Sequence, residues 1–584
     1  MRKHFLYLFI LIASHASGQH YLRGEIQNEK QVGLQNARIF VHSARSYYFS
    51  GTQGSFGIVL SNLYDSLTIT LEGYEDRTLR VKADEWQTII LKVSTVSSTK
   101  VRQRLISVTK DLKQTSKFKW FAGDETYFQL VENEYVNTEK FPNTGFSLNV
   151  NKASYSNVRR FINQQSSVPP DAVKVEEMVN YFNLHYREPL PDQTFHVQTF
   201  VSNCPWDQKQ QLLFLNINAQ KLKLDSVPPG NFVFLIDVSG SMDMPNRLPL
   251  LQAAFQMFVK NLRAIDTVSI VIYGGSVSVW LQPTSGAEKE KINKSIEQLT
   301  AAGDTPGEFA IRTAYQVARR SFIKNGNNRV ILATDGDFNV GETSEKALDE
   351  LITTQRQTGV YLTCLGVGMG NFKDSKLQTL AKKGNGNYAY IDDILEAEKT
   401  LVHELTQTMY SVADNVVLNV EFNPAMMKQY RLIGFDNKRD ALADASSDLE
   451  GGEVGSGNST LAIFQFEPTD LNILTQNTST TEDMGLLSIK YNSPGDTATK
   501  ELRCRIPQNY KPLDRIDPEI KFATAVAMFG MKLRKSVYLK DADWPLITSM
   551  AVSSVDTKNY LQMEFLKILE KAKKIYGVSK KKKK

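Results

Sequence analysis

Asp237, Ser239 and Ser241 occupy alternate positions in the stretch Asp237-Val238-Ser239-Gly240-Ser241. That spacing places one carboxylate and two hydroxyls on a single tight turn, where all three can face one small volume. Such a set suits a hard cation, which takes oxygen ligands and accepts neutral oxygens beside charged ones. One carboxylate does not neutralise a dication, so more oxygens must come from distant residues or from a partner. Two other stretches offer them. Gly303-Asp304-Thr305-Pro306-Gly307 brings the Thr305 hydroxyl, and Asp335 follows the apolar run Val330-Ile331-Leu332-Ala333-Thr334. Asp304 and Asp337 are accessory acids beside them. Asp304 either adds a ligand or repels an incoming acid.

The elements around these loops have to carry them to one edge. Residues 231–412 alternate strand and helix patterns. Strands are expected at 232–237, 267–273, 277–281, 329–334 and 359–365. Helices are expected at 246–263, 288–299, 308–323, 344–357, 374–383 and 394–411. Unbroken β-branched and apolar runs between amphipathic helices predict a largely parallel, doubly wound sheet covered on both faces. In such a sheet, ligands bind at the carboxyl ends of the strands. The loops after 237 and 334 both lie at that edge.

This constellation resembles the metal-ion-dependent adhesion site of von Willebrand factor type A domains. That pattern is Asp-x-Ser-x-Ser, then a distant Thr, then a distant Asp after an apolar strand. Asp237, Ser239, Ser241, Thr305 and Asp335 match it in order. The resemblance implies Mg2+, or another divalent cation such as Mn2+ or Ca2+, held with an open position that an acidic side chain of a protein partner completes. It also implies coupling of that event to the last helix, 394–411.

The flanks resemble a broader family of secreted bacterial A-domain proteins. The match runs through Phe146-Ser147-Leu148-Asn149-Val150-Asn151-Lys152-Ala153-Ser154-Tyr155, Asn157-Val158-Arg159-Arg160-Phe161, Pro169-Pro170-Asp171-Ala172-Val173, Tyr430-Arg431-Leu432-Ile433-Gly434-Phe435 and Gly451-Gly452-Glu453-Val454-Gly455-Ser456-Gly457. Members often carry aspartates where this chain has Asn149 and Asn151. Tyr155, Phe161 and Phe182 read as core. Residues 20–92 show short alternating runs, such as Ala37-Arg38-Ile39-Phe40-Val41, between glycines and polar turns. They resemble the carboxypeptidase regulatory-like β-sandwich.

The expected organisation follows. A signal peptide spans 1–18, the β-sandwich 19–92, and a Ser/Thr/Lys/Gln-rich linker 93–118. A flanking region at 119–228 precedes the A domain at 229–412. A β-rich region at 413–508, a helical region at 509–577 and a Lys-rich tail at 578–584 complete the chain. The fold class is multidomain α/β plus β, with the A domain inserted into a β-rich body. Strands of 413–508 are expected to pair with those near 195–217.

Bulk properties narrow the function. The chain has 584 residues, 41% hydrophobic and 23% charged, with a formal net charge of +6. Lys580 to Lys584 account for much of that charge, and a like-charged terminal run reads as solvated. No basic stripe with interleaved aromatics argues for nucleic acid. Arg2 and Lys3, the apolar run Phe5 to Ala13 and Ala16-Ser17-Gly18 have the form of a secretory leader, so export is expected, to the periplasm, the cell envelope or the medium. No later stretch reaches the ~18 apolar residues of a transmembrane helix. Three cysteines exist, Cys204, Cys364 and Cys504. Cys364 reads as core, and a bridge between the other two is permitted.

Enzyme motifs are lacking. There is no Gly-x-x-x-x-Gly-Lys-Ser/Thr loop, no His-Glu-x-x-His and no Gly-x-Ser-x-Gly. His403-Glu404 reads as a solvated helix face. The sequence therefore reads as a metal-dependent binding protein of the bacterial envelope and not an enzyme. A structural scaffold with a purely structural metal is the alternative. A metal-assisted hydrolase with Asp337 or Asp304 as base ranks third.

Overall fold

The computed structural model describes the chain except residues 1–19, 45, 52, 61, 72–73, 93–124, 126, 129, 275, 303–306, 337–341, 369–372, 436–451, 476–481, 540–541 and 578–584. The expected leader, linker and tail fall wholly outside the described residues. The chain divides into two compact units, residues 1–103 and 104–584.

The first unit is a β-sandwich. One sheet orders the strands Ser55–Leu60, His20–Asn28 and Trp86–Leu91. The other orders Ser46–Phe49, Arg38–Val41, Tyr64–Thr70 and Arg77–Lys82. The period-2 pattern sends Leu22, Ile26, Ile39, Val41, Ile58, Leu67, Ile69 and Ile89 into one shared core.

In the second unit, two antiparallel sheets form a sandwich. One orders Phe195–Asn203, Gln211–Ala219, Ser459–Pro468, Met427–Ile433 and Val136–Asn137. The other is built on Ser411–Phe422 and Asp483–Asn492. Gln211–Ala219 pairs antiparallel with Ser459–Pro468, for example Phe214 with Ile463. All nine residues of Gln211–Ala219 are buried. Alternation explains it. Leu213, Leu215 and Ile217 enter the sandwich core, while Leu212 and Phe214 face a helical layer. That layer comprises Ala153–Asn163, Val175–Asn180 and three C-terminal helices, Pro518–Arg534, Trp544–Ser554 and Tyr560–Gly577. Tyr155, Phe161 and Phe182 belong to its core. Full burial of each such side chain stabilises by about 1.5–3 kcal/mol.

Between Ala219 and Ser411 lies the inserted α/β unit. Its sheet orders Ser276–Ser285, Thr267–Gly274, Gly230–Asp237, Asn327–Thr334, Val360–Gly366 and Tyr388–Tyr390. All neighbours are parallel except the pair Thr267–Gly274 and Ser276–Ser285. Gly230–Asp237 is buried along its whole length. Phe232, Phe234 and Ile236 pack on one side against Leu251, Phe255 and Phe258. Val233 and Leu235 pack on the other against Ile311, Ala314 and Tyr315.

Three expectations need correction. The last helix, expected as one element over 394–411, is broken. Ile394–Glu398 runs into a π turn, Lys399–His403, then a short helix, Leu405–Met409. The wider turn is closed by the Glu404 amide donating to Lys399 O at 2.8 Å. Nor is Glu404 part of a solvated face. Only 13% of its side chain is exposed, and its carboxylate takes Lys152 at 3.0 Å and Lys399 at 3.1 Å. His403 does point to solvent, with 62% of its side chain exposed. The permitted disulfide is not formed either: all three cysteines are free, and Cys364 is buried in the core.

Candidate metal centre

Strand order places the site. Gly230–Asp237 is central, with its successors Thr267–Gly274 and Asn327–Thr334 on opposite sides. Chain direction therefore diverges there, and the loops after Asp237 and Thr334 open around one crevice. Asp237 ends the first strand and is fully buried; Asp335 follows the second and is 2% exposed. The turn after Asp237 tightens into a 3-10 turn, Gly240–Met242, which lifts Ser239 and Ser241 to the same side.

The resulting geometry is compact. Asp237 Oδ1 accepts the Ser239 amide at 2.9 Å, and its Oδ2 accepts the Thr334 hydroxyl at 2.8 Å. The Ser239 and Ser241 hydroxyl oxygens lie 3.1 Å apart. Thr334 Oγ1 also accepts the Gly336 amide at 3.1 Å, joining the two loops. The third loop begins close by. Ala302 donates its amide to Val238 O at 2.6 Å. Gly274 permits this crowding, since a Cβ there would stand 2.6 Å from Val238 O and 2.7 Å from Ala302 O. Thr305, Asp304 and Asp337 lie outside the described residues.

Burial dominates the electrostatics. It pushes the Asp237 carboxyl up to about 6, against the bonds from Ser239 and Thr334, and neighbouring Asp335 adds to the rise. The nearby Tyr273 hydroxyl is raised well above its usual range by burial. A buried carboxylate that is costly to ionise is one that gains from a nearby cation. The donor set is all oxygen, two carboxylates and two hydroxyls, which fits Mg2+, Mn2+ or Ca2+ better than a sulfur- or imidazole-seeking metal.

One participant has no counterpart in the Asp-x-Ser-x-Ser pattern. Arg247 sits just before the helix Leu248–Lys260. Its Nη1 donates to Asp335 Oδ2 at 2.7 Å and to Ser241 O at 2.5 Å. The sequence held little signal for it, since an Arg near a Pro at a helix start reads as surface. A second group of ligating side chains lies elsewhere, in the flanking body. His185 Nδ1 is 3.4 Å from Asp517 Oδ2 and 3.7 Å from Glu519 Oε2. Asp517 and Glu519 open the helix Pro518–Arg534, and no sequence motif links them to His185.

Comparison with known proteins agrees with this architecture. Residues 232–337 match the family "von Willebrand factor type A domain". Residues 122–214 match "von Willebrand factor", and residues 407–575 match "Uncharacterized protein YfbK, C-terminal". A solved structure, von Willebrand factor type A from Catenulispora acidiphila, aligns over 65% of this chain and 91% of its own, at 14% identity and a TM-score of 0.38. Human inter-alpha-trypsin inhibitor heavy chain H2 is 26% identical over 208 residues, covering 34% of this chain but only 21% of that protein. The Escherichia coli K12 protein YfbK is 35% identical over 480 residues, which is 78% of this chain and 82% of YfbK. The chain therefore belongs to the YfbK family and carries a von Willebrand factor type A domain within it.

Proposed function

We propose that this protein binds a protein partner through a divalent cation held by Asp237, Ser239, Ser241 and Asp335, with Thr305 as the fifth donor. The convergence of two buried carboxylates and two adjacent hydroxyls on one crevice carries this reading. A bound dication supplies an electrophilic position that a partner's Asp or Glu carboxylate completes. The chain's own residues do the rest. Thr334 and the Ser239 amide fix the Asp237 carboxylate, and the serines add neutral oxygens without quenching the charge. Hydroxyl-rich ligation favours capture over water activation, so the protein is read as a binding protein and not an enzyme. The leader-like first eighteen residues support work outside the cytoplasm, in the periplasm or at the envelope. Among the described residues, no helix is long and apolar enough to cross a membrane.

Titration of the full chain with Mg2+ and Mn2+ by calorimetry tests the reading. One ion per chain should bind, Asp237→Ala should abolish it with the fold intact, and a Glu-containing peptide should bind only the loaded protein. Peptide capture unaffected by chelation would sink it. Metal uptake without any acid recognition would favour the scaffold alternative, in which the ion only stabilises.

A further inference from the structure

Charge counting around Asp237 and Asp335 leads past the ligand set itself. The two buried carboxylates carry two negative charges, and Arg247 returns one positive charge directly onto Asp335. Summed over these three described side chains alone, a dication would leave a single positive charge, and removal of Arg247 would lower that sum by one. The guanidinium cannot lose its proton in a protein, so this contribution is permanent.

Its position is built, not incidental. Arg247 is 8% exposed. Gly368, at φ +77°, passes so close that a Cβ would stand 2.6 Å from Arg247 Nε. The arginine also donates to Ser241 O, within the turn that bears both serine hydroxyls.

We propose that Arg247 is a tethered cation that competes with the metal for Asp335 and, in the metal-loaded site, supplies the positive charge that selects an acidic partner. This rests on the metal-site reading above. The consequence is a trade. Arg247 weakens divalent-ion binding, because like charges share one carboxylate, and strengthens binding of an incoming carboxylate. It acts as a specificity-determining residue without being a metal ligand.

The test uses the full chain, with Mn2+ followed by the electron paramagnetic resonance of the free ion. Fluorescein-labelled Gly-Glu-Gly and Gly-Gln-Gly peptides are followed by anisotropy on the Mn2+-loaded protein. Arg247→Met should bind Mn2+ at least about tenfold more tightly and Gly-Glu-Gly at least about tenfold more weakly, in line with removal of one nearby unit charge. Arg247→Lys, which keeps the charge on a shorter, less pre-organised head, should fall between wild type and Arg247→Met on both scales. A cooperative thermal transition in each variant confirms folding, and the Lys variant serves if the Met variant does not fold. Wild-type uptake of Mn2+ with no tightening in Arg247→Met, or with undiminished Gly-Glu-Gly affinity, overturns the role of Arg247 and leaves the metal site standing. No Mn2+ uptake by wild type overturns both.

Discussion

Two buried ionic clusters in this molecule are built to opposite ends. Around Arg159, in the flanking helix Ala153–Asn163, every donor is answered. Its Nη2 bonds Asp392 and, at 2.8 Å, Glu396; its Nη1 bonds Glu564 at 2.9 Å and the Tyr181 hydroxyl at 3.1 Å. One cation meets three carboxylates, contributed by the A domain's last helical ladder and by the C-terminal helix. Around Asp335 the carboxylates again outnumber the cation among the described residues, but the setting differs. Asp335 takes Arg247 at 2.7 Å, while Asp237 takes the Thr334 hydroxyl at 2.8 Å and the Ser239 amide at 2.9 Å. The first cluster is a rivet between domain and body. The second lies at the ends of two neighbouring strands, beside the paired Ser239 and Ser241 hydroxyls. Similar residue types thus join domain to body in one place and, on the reading proposed above, bind in the other. The difference lies in the surroundings: one guanidinium spans three carboxylates from separate elements, whereas hydroxyls at strand ends flank the other pair.

The largest effect should come from breaking the rivet. Arg159→Met leaves Asp392, Glu396 and Glu564 without their shared partner, and removing one member of a buried ion pair costs about 3–5 kcal/mol. Denaturant unfolding, read through Trp206 and Trp544 fluorescence, should show a loss of that size. A loss below about 1 kcal/mol would mean that the cluster is not what joins the A domain to its body.

A second contact between domain and body involves Glu453, on the strand Gly452–Gly455. Burial pushes its carboxyl up to about 8, against the pull of Arg329. The folded chain therefore holds a proton there that the unfolded chain releases near the ordinary Glu value of about 4.3. This group's contribution to stability should be greatest below that value and should fall as pH rises toward about 8, because the folded state binds more protons there across that window. Glu453→Gln mimics the protonated acid. The wild-type loss relative to this variant should be roughly 2–4 kcal/mol between pH 4.5 and 8. Parallel pH profiles for the two proteins would show that the carboxyl is ionised in the fold.

The binding cluster should answer differently. Asp237→Asn removes a carboxylate that burial already disfavours, so the metal-free protein should lose less than about 1 kcal/mol. What should vanish is the response to metal. An ion present at a hundredfold its dissociation constant stabilises the folded protein by about 2.7 kcal/mol, and the variant should gain nothing. Thermal melts with Mg2+ and with chelator separate the two terms. A variant that is badly destabilised without metal would place Asp237 with Arg159 as a structural group.

How much of this was legible depended on whether the partners are close in sequence. Phe232-Val233-Phe234-Leu235-Ile236 announces a buried strand by composition alone, and Asp237, Ser239 and Ser241 announce their turn by spacing. The pairing of Gln211–Ala219 with Ser459–Pro468 was legible at low resolution, since an inserted domain needs neighbouring ends. Arg159 was not legible as a buried group. A charged residue in Asn157-Val158-Arg159-Arg160-Phe161 reads as helix surface until Asp392, Glu396 and Glu564 are placed around it. Glu404 failed the same way, because its partner Lys152 is remote in sequence and reaches it only through the fold. Arg247 lies only six residues beyond Ser241, yet its meaning depends on Asp335 and Gly368, which the fold alone brings near.

Gly368 provides the finest probe, because it tests placement of charge without removing any. Its carbonyl accepts the Tyr390 hydroxyl, and Tyr390 O in turn accepts the Ser156 hydroxyl at 2.9 Å, in the same helix as Arg159. A continuous run of contacts therefore links Arg247 to the flanking helix. Gly368→Ala puts a methyl group 2.6 Å from Arg247 Nε and strains a left-handed backbone position. The strain should cost about 1 kcal/mol, read as a small drop in melting temperature. The informative readout is Mn2+ affinity. If the guanidinium is held against Asp335 by this packing, the variant should displace it and shift the affinity toward that of Arg247→Met. Unchanged affinity would show that Asp335 alone holds the arginine, with Gly368 merely making room.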